Sequence, residues 1–274
     1  VQYVVGSVPY VNAKPLVSQF DHLGEDSPVK VVYELPSQLP ALLDAGTLQA
    51  ALVSSFDSLR SPNRRIAAGC VSTYGDAQSV RLFSKVPFDQ IKSLALDASS
   101  LTSIHLAQVC LIENYGVRAD TVNMKPELNA MLERCDACVL IGDIGMVTEG
   151  GGLLETDLGA EWRKLTDLPF VWAAWIGNAE LDEALAGCLE LANTWGQEHL
   201  DEVILETQAQ VQWPGDSCRF YLAEIMNYTL TDRHIEGLRF FQKLLLKHGF
   251  LGEDWFPKVV RGSISRPEAT QASH

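Results

Sequence analysis

The sequence predicts an α/β fold of two lobes with a ligand cleft between them, and three observations point there. A β-α-β-α-β series fills the stretch up to Val53, a second β/α alternation runs from Ser93 to Ile141, and beyond Gly177 the pattern turns helical. Helices without strands of their own need an existing sheet to pack on, and the first series supplies it. The expected organisation is therefore a discontinuous α/β domain, 1–85 plus 178–262, with 86–177 inserted as a second α/β domain. The polar tail 263–274 is expected to be disordered.

The elements follow from local pattern. Tyr3 to Val8 is apolar and β-branched, as a buried strand should be, and Pro15 suits the first turn of the helix after it. Val29 to Leu35 is the next strand, then a helix from Ser37 to Ala45 and a strand from Ala50 to Val53. Ser79 to Lys85 alternates as a strand. The second series reads as a strand at Ser93 to Leu96, a helix from Thr102 to Asn114, a strand at Thr121 to Met124, a helix opened by Pro126 and a strand at Ala137 to Ile141. It closes on the apolar strand Phe170 to Ile176. Leu181, Leu185, Leu189 and Ala192, and later Ile235, Leu238, Phe241 and Leu245, recur at helical spacing.

Composition narrows the partners. A formal net charge of -14 disfavours nucleic acid and anionic membrane surfaces. An anionic ligand must then be held by local donors against the bulk field. With 47% hydrophobic residues and a mean hydropathy of +0.03 the chain has enough apolar side chains for real cores. No run approaches the ~20 apolar residues of a membrane span. The six cysteines mostly sit in apolar stretches, as free core thiols do, which favours a cytoplasmic location. Cys135 and Cys138 have redox-motif spacing but no second pair or neighbouring His, a weak zinc signal. No metal is expected, and no cofactor either, since there is no Gly-rich phosphate loop.

Ligands in open α/β sheets bind beyond the carboxyl ends of the strands, so four loops matter: Pro9 to Asn12, Ser54-Ser55, Ser99 to Ser103 and Gly142-Asp143. Four hydroxyls, Ser99, Ser100, Thr102 and Ser103, crowd the start of one helix, where unpaired N–H groups and the dipole favour a carboxylate. Plain N-capping is the competing use. Tyr10 and Asn12 form a cleft wall, although Asn in a short loop also serves as a turn residue. Arg81 either lies on an exposed edge or pairs a carboxylate in the cleft, with Ser79 sharing its strand face. Asp143 is a polar cleft residue or a helix cap. His22 and His105 have no partner at metal spacing, and there is no HExxH, GxSxG or nucleophile-base pair. The candidate site positions and stabilises; it has no covalent nucleophile.

Five stretches, Gly6 to Leu16 (GSVPYVNAKPL), Ser79 to Ser84 (SVRLFS), Asp97 to Ser103 (DASSLTS), Leu140 to Asp143 (LIGD) and Asp157 to Trp162 running on to Leu168 to Trp175, stand in one order. Together they resemble the chorismate dehydratase family of the futalosine route to menaquinone. That resemblance implies a type II periplasmic-binding-protein-like fold. It implies chorismate as the small carboxylate substrate, lost water as the reaction, and 3-[(1-carboxyvinyl)oxy]benzoate as the product. It assigns catalytic weight to Asn12 and Ser79, with Tyr10, Ser55, Arg81, Ser100, Thr102, Ser103, Gly142 and Asp143 as substrate-binding candidates. The sister family that makes 1,4-dihydroxy-6-naphthoate reads Ser-Pro-Cys-Pro-Asn-Asp-Thr in its first loop, unlike Val8 to Lys14 here. One departure is Leu101, where the dehydratases often have Arg, which removes an anion contact. A non-catalytic solute-binding protein on the same fold is the alternative from another class.

Overall fold

The computed structural model describes residues 2–97, 100–211, 213 and 216–262. The tail 263–274 and Ser99 lie outside the described residues. Along the chain, β1 (Tyr3–Ser7), α1 (Lys14–Leu23), β2 (Val29–Tyr33), α2 (Leu39–Asp44), β3 (Ala50–Ser54), α3 (Ser55–Arg60) and β4 (Arg65–Thr73) come first. Then come β5 (Val80–Ser84), β6 (Ser93–Asp97), α4 (Leu101–Tyr115), β7 (Asp120–Met124), α5 (Leu128–Arg134), β8 (Ala137–Ile141), α6 (Gly142–Val147) and β9 (Leu154–Asp157). The remainder is α7 (Leu158–Thr166), β10 (Phe170–Gly177), α8 (Glu183–Glu198), α9 (Leu200–Gln208), α10 (Ser217–Arg219), a π-helical turn (Phe220–Ile225), α11 (Asp232–Lys247) and β11 (Lys258–Val260).

Two sheets result, in the orders β11-β4-β10-β3-β1-β2 and β7-β6-β8-β5-β9. The first is parallel around β1 and the second around β6, as the β/α alternation requires. Each sheet also takes one antiparallel strand between two neighbours: β10 lies between β3 and β4, and β5 between β8 and β9. This moves the expected boundaries. The strand at Val80–Ser84, expected in the first domain, pairs in the second sheet, and Phe170–Gly177, expected in the inserted domain, pairs in the first. Which sheet a strand joins depends on its ladder partner, and its own apolar pattern is the same in either. The chain therefore passes between the sheets at 74–79 and again at 158–169. The C-terminal region is not wholly helical either, since β11 adds to the edge of the first sheet along β4.

The helices hold to their sheets by apolar faces, and the largest fully buried side chains include Trp162, Trp175, Phe170 and Phe241. Trp162 meets Phe170 and Phe241 edge-on, at ring separations of 5.1 and 5.9 Å, so α7, β10 and α11 share one core. The two lobes also touch directly. The hydroxyl of Thr102 at the start of α4 accepts from the Phe56 N–H of α3 at 3.2 Å, and the His105 ring stacks on Phe56 at 3.7 Å. Burial pushes the His105 imidazole below its ordinary pKa, although its bond to the Leu101 carbonyl opposes this. A neutral ring is what a stacked apolar contact favours.

The closest helix packing bears on the site. Helix α8 lies on α1 through Gly196, where an added Cβ would stand 1.8 Å from the Pro15 carbonyl oxygen. That contact is to backbone at the first turn of α1, two residues after Ala13, so no side chain can swing aside to relieve it. Gly196→Ala is expected to destabilise the protein by about 2–3 kcal/mol, read as a lowered Tm in thermal melts. An unchanged Tm would contradict this packing.

Candidate active site

All four loops singled out in the sequence follow the carboxyl ends of strands: β1, β3, β6 and β8. Loops of the two lobes meet where the Phe56 N–H, just after β3, donates to the Thr102 hydroxyl, just after β6, and the Tyr10 phenol of the first lobe is influenced by the carboxylates of Asp97 and Asp143 in the second. Its pKa is raised chiefly by burial and then by those two charges. Tyr10 and Asp143 are exposed. Ser79 and Tyr221 are buried, at 5% and 3% exposure.

Asn12 sits in a short 3-10 turn, Val11–Ala13, between β1 and α1, and its apolar neighbours Val11 and Ala13 are both buried. The loop is thereby pinned on either side of the amide. Ser79 stands in the first passage between the sheets, immediately before β5. These two residues, remote in sequence, meet at a third. The Ser79 hydroxyl lies 3.0 Å from the phenol oxygen of Tyr221, and the Asn12 side chain stands near enough to the same phenol to act on its pKa. Tyr221 belongs to the π-helical turn Phe220–Ile225, an element that single-residue periodicity does not announce. Burial drives its pKa up, with Asp143 and Asp157 adding to the rise, while Ser79 and Asn12 oppose it. The phenol is therefore neutral in the physiological range.

The backbone leading into Ser79 is held by a half-buried carboxylate. Asp157, at the end of β9, accepts from the N–H groups of Ala77 (2.9 Å) and Gln78 (2.7 Å) in the first passage. It also accepts from Gly159 (2.8 Å) and Ala160 (3.3 Å), capping α7 in the second. One side chain thus ties both passages together. Desolvation raises its pKa and the four N–H bonds lower it. Gln78 itself has a φ of 60°, a strained conformation for a side-chain-bearing residue, which the surrounding bonds maintain.

The other candidates divide by where their polar atoms go. Arg81 donates to the carbonyls of Gly145 (3.1 Å) and Thr148 (2.7 Å) and to the Glu155 carboxylate (2.6 Å), so its charge is neutralised within the second lobe and not offered to a ligand. β9 runs beside β5 and brings Glu155 to it. Ser55 is completely buried and donates to the Val171 carbonyl at 2.5 Å, fixing α3 to β10. Ser100 is the N-cap of α4, accepting from the Ser103 N–H, and its hydroxyl lies 3.0 Å from that of Ser103. Thr102 bridges to α3 as described. Three hydroxyls of that cluster are thus used in capping and in joining the lobes, the plainer of the two uses read from the sequence. Gly142, at a φ of 63°, makes the sharp turn from β8 into α6. Asp143 is the second residue of α6 and does not cap it, since the N-cap is Ile141. Partial desolvation raises the Asp143 pKa.

Among the described residues no three of His, Cys, Asp and Glu come together as a metal ion would need, and no helix is long and apolar enough to cross a membrane. Cys135 and Cys138 are both buried and free, as are Cys70, Cys110 and Cys218. What converges here is an amide, a hydroxyl and a phenol, all neutral.

The architecture is that of the periplasmic-binding-protein-like folds. The chain aligns with a protein from Archaeoglobus fulgidus at a TM-score of 0.71 and 16% identity, over 91% of this chain and 98% of that one. It aligns with the periplasmic aliphatic sulphonate binding protein of Escherichia coli at a TM-score of 0.65 and 12% identity, over 100% and 98%. At these identities the likeness concerns the fold. The sequence is more specific: residues 3–247 match the family model described as menaquinone biosynthesis, and the chain belongs to that family. It is 29% identical to the chorismate dehydratase of Thermus thermophilus, over 73% of this chain and 80% of that protein.

Proposed function

We propose that the protein dehydrates chorismate to 3-[(1-carboxyvinyl)oxy]benzoate. The observation that carries this reading is the convergence of Asn12 and Ser79 around one buried phenol, bonded to Ser79 and close to Asn12, since these are the two positions to which the dehydratase resemblance gives weight. The reaction breaks the C3–H and C4–O bonds of the ring; the C–H electrons form the new double bond, and the proton and hydroxyl leave as water. The product ring is aromatic, so the equilibrium lies far forward and no oxidant or other co-reactant is required. The protein contributes orientation and hydrogen bonds to the departing hydroxyl. An amide is too weak a base to take the C3 proton, and a substrate carboxylate held close to C3 is the acceptor in this scheme.

Tyr10 and Asp143 form the rim of the substrate cleft, and Ser100, Ser103 and Gly142 line its second-lobe side near the α4 N-terminus. Burial of so many free thiols fits a reducing, cytoplasmic compartment. The test is to incubate the purified protein with chorismate and follow aromatic absorbance and product mass. A product one water lighter is expected. Saturable binding with chorismate recovered intact would instead identify a solute-binding protein, and turnover of only the later naphthoate precursor would identify the sister activity.

A further inference from the structure

We infer that Tyr221 is the positioning residue of this site, turning the Ser79 hydroxyl and holding the Asn12 amide beside it. The inference rests on the dehydratase reading above and adds to it a residue from a part of the chain that none of the family motifs includes.

The first support is placement. Tyr221 is buried, and the segment bearing it is tied to the first sheet next to the passage that carries Ser79. Ser72 and Asn227 exchange both backbone bonds, at 3.0 and 2.8 Å, and the Ser72 hydroxyl donates to the Asn227 carbonyl at 2.8 Å. The Trp213 ring meets the phenol ring edge-on at 5.4 Å. A side chain fixed at both backbone and ring has little freedom to leave its partners.

The second support is donor and acceptor arithmetic. A neutral phenol has one proton to donate and an oxygen that accepts. Ser79 turns its own proton to the Ala77 carbonyl, a long bond of 3.3 Å, so the phenol proton is directed to the Ser79 oxygen at 3.0 Å. A leaving hydroxyl placed there is a better acceptor for the Ser79 proton at shorter range. Tyr221 thus makes Ser79 a donor, and the Asn12 side chain stands beside the same phenol. Without it the serine hydroxyl loses the partner that sets its direction.

The experiment compares wild type, Tyr221→Phe, Ser79→Ala and the double variant on chorismate. Tyr221→Phe is expected to lower kcat about 10- to 100-fold with KM changed less than about threefold. Ser79→Ala is expected to cost much less when Tyr221→Phe is already present than in the wild type, because the two act as one unit. Full kcat in Tyr221→Phe, or a cycle in which the two losses simply multiply, would overturn the inference. A second readout needs no turnover: the Asn12 side-chain amide resonances, identified by their loss in Asn12→Ala, should shift and exchange faster with solvent in Tyr221→Phe. Wild type inactive on chorismate but showing that shift would refute the dehydratase reading and leave the role of Tyr221 standing. Unmoved resonances would refute the role of Tyr221.

Discussion

Asn12→Ala is expected to lower kcat on chorismate by about 10²- to 10³-fold, the usual cost of removing one oriented hydrogen-bonding group from an enclosed site. Stability should stay close to wild type. The turn that carries Asn12 is anchored by buried Val11 and Ala13, and its backbone is closed by the Ala13 N–H to the Tyr10 carbonyl at 3.0 Å. None of these contacts uses the amide. A large loss of kcat with an unchanged melting curve therefore separates a chemical role from a structural one. Turnover equal to wild type would remove Asn12 from the mechanism. The phenol of Tyr221 would lose one neighbour in this variant but keep Ser79, so its ring should stay in place.

The second large effect is expected from Asp157→Ala. Four backbone N–H groups lose their acceptor at once, in a region where water has little access, and unpaired buried donors cost about 1–3 kcal/mol each. Relaxation and water penetration recover part of that, so a net loss of about 4 kcal/mol is expected, at the upper end for a single substitution. Activity should fall as well, because Ala77 and Gln78 hold the strained backbone that presents Ser79. Asp157→Asn is the informative companion. The oxygen facing Ala77, Gly159 and Ala160 can be retained, but the other position becomes an NH2 that opposes the Gln78 N–H. It should lie between wild type and Ala in Tm while losing most of the Ser79-dependent activity. If both variants melt like wild type, the carboxylate does not tie the passages together.

Much of this is legible in the sequence because local patterns report local structure. Apolar runs that give way to Pro9, Ser54-Ser55, Asp97 and Gly142 mark the loops at the ends of β1, β3, β6 and β8, and periodicity between a Ser cap and Gly116 marks helix α4. What stays hidden depends on pairing between remote segments. Arg65–Thr73 forms the long strand β4 despite its polar and glycine interruptions, because β10 and β11 flank it on both sides. Arg81 reads as an exposed edge residue or a ligand clamp, and only the pairing of β9 with β5 shows Glu155 beside it. The Ser100 to Ser103 hydroxyls likewise serve capping or anion binding with the same sequence, and here Thr102 finds Phe56.

Tyr221 is the clearest case. Phe220-Tyr221-Leu222 resembles any core turn of a helix, and neither spacing nor charge marks its phenol. A buried tyrosine does need a partner for its hydroxyl, and the search for that partner is the available signal. Only the passage of the chain between the two sheets places Ser79 there.

The central claim, that this cleft removes water across C3 and C4 of chorismate, is tested most directly with chorismate deuterated at C3. The expected product is the aromatic enol ether with no deuterium on its ring, the label appearing in solvent, and its rate of formation should fall in parallel in Asn12→Ala and Ser79→Ala. Chorismate that binds and returns with its label intact, or a product that keeps the deuterium, would contradict the account.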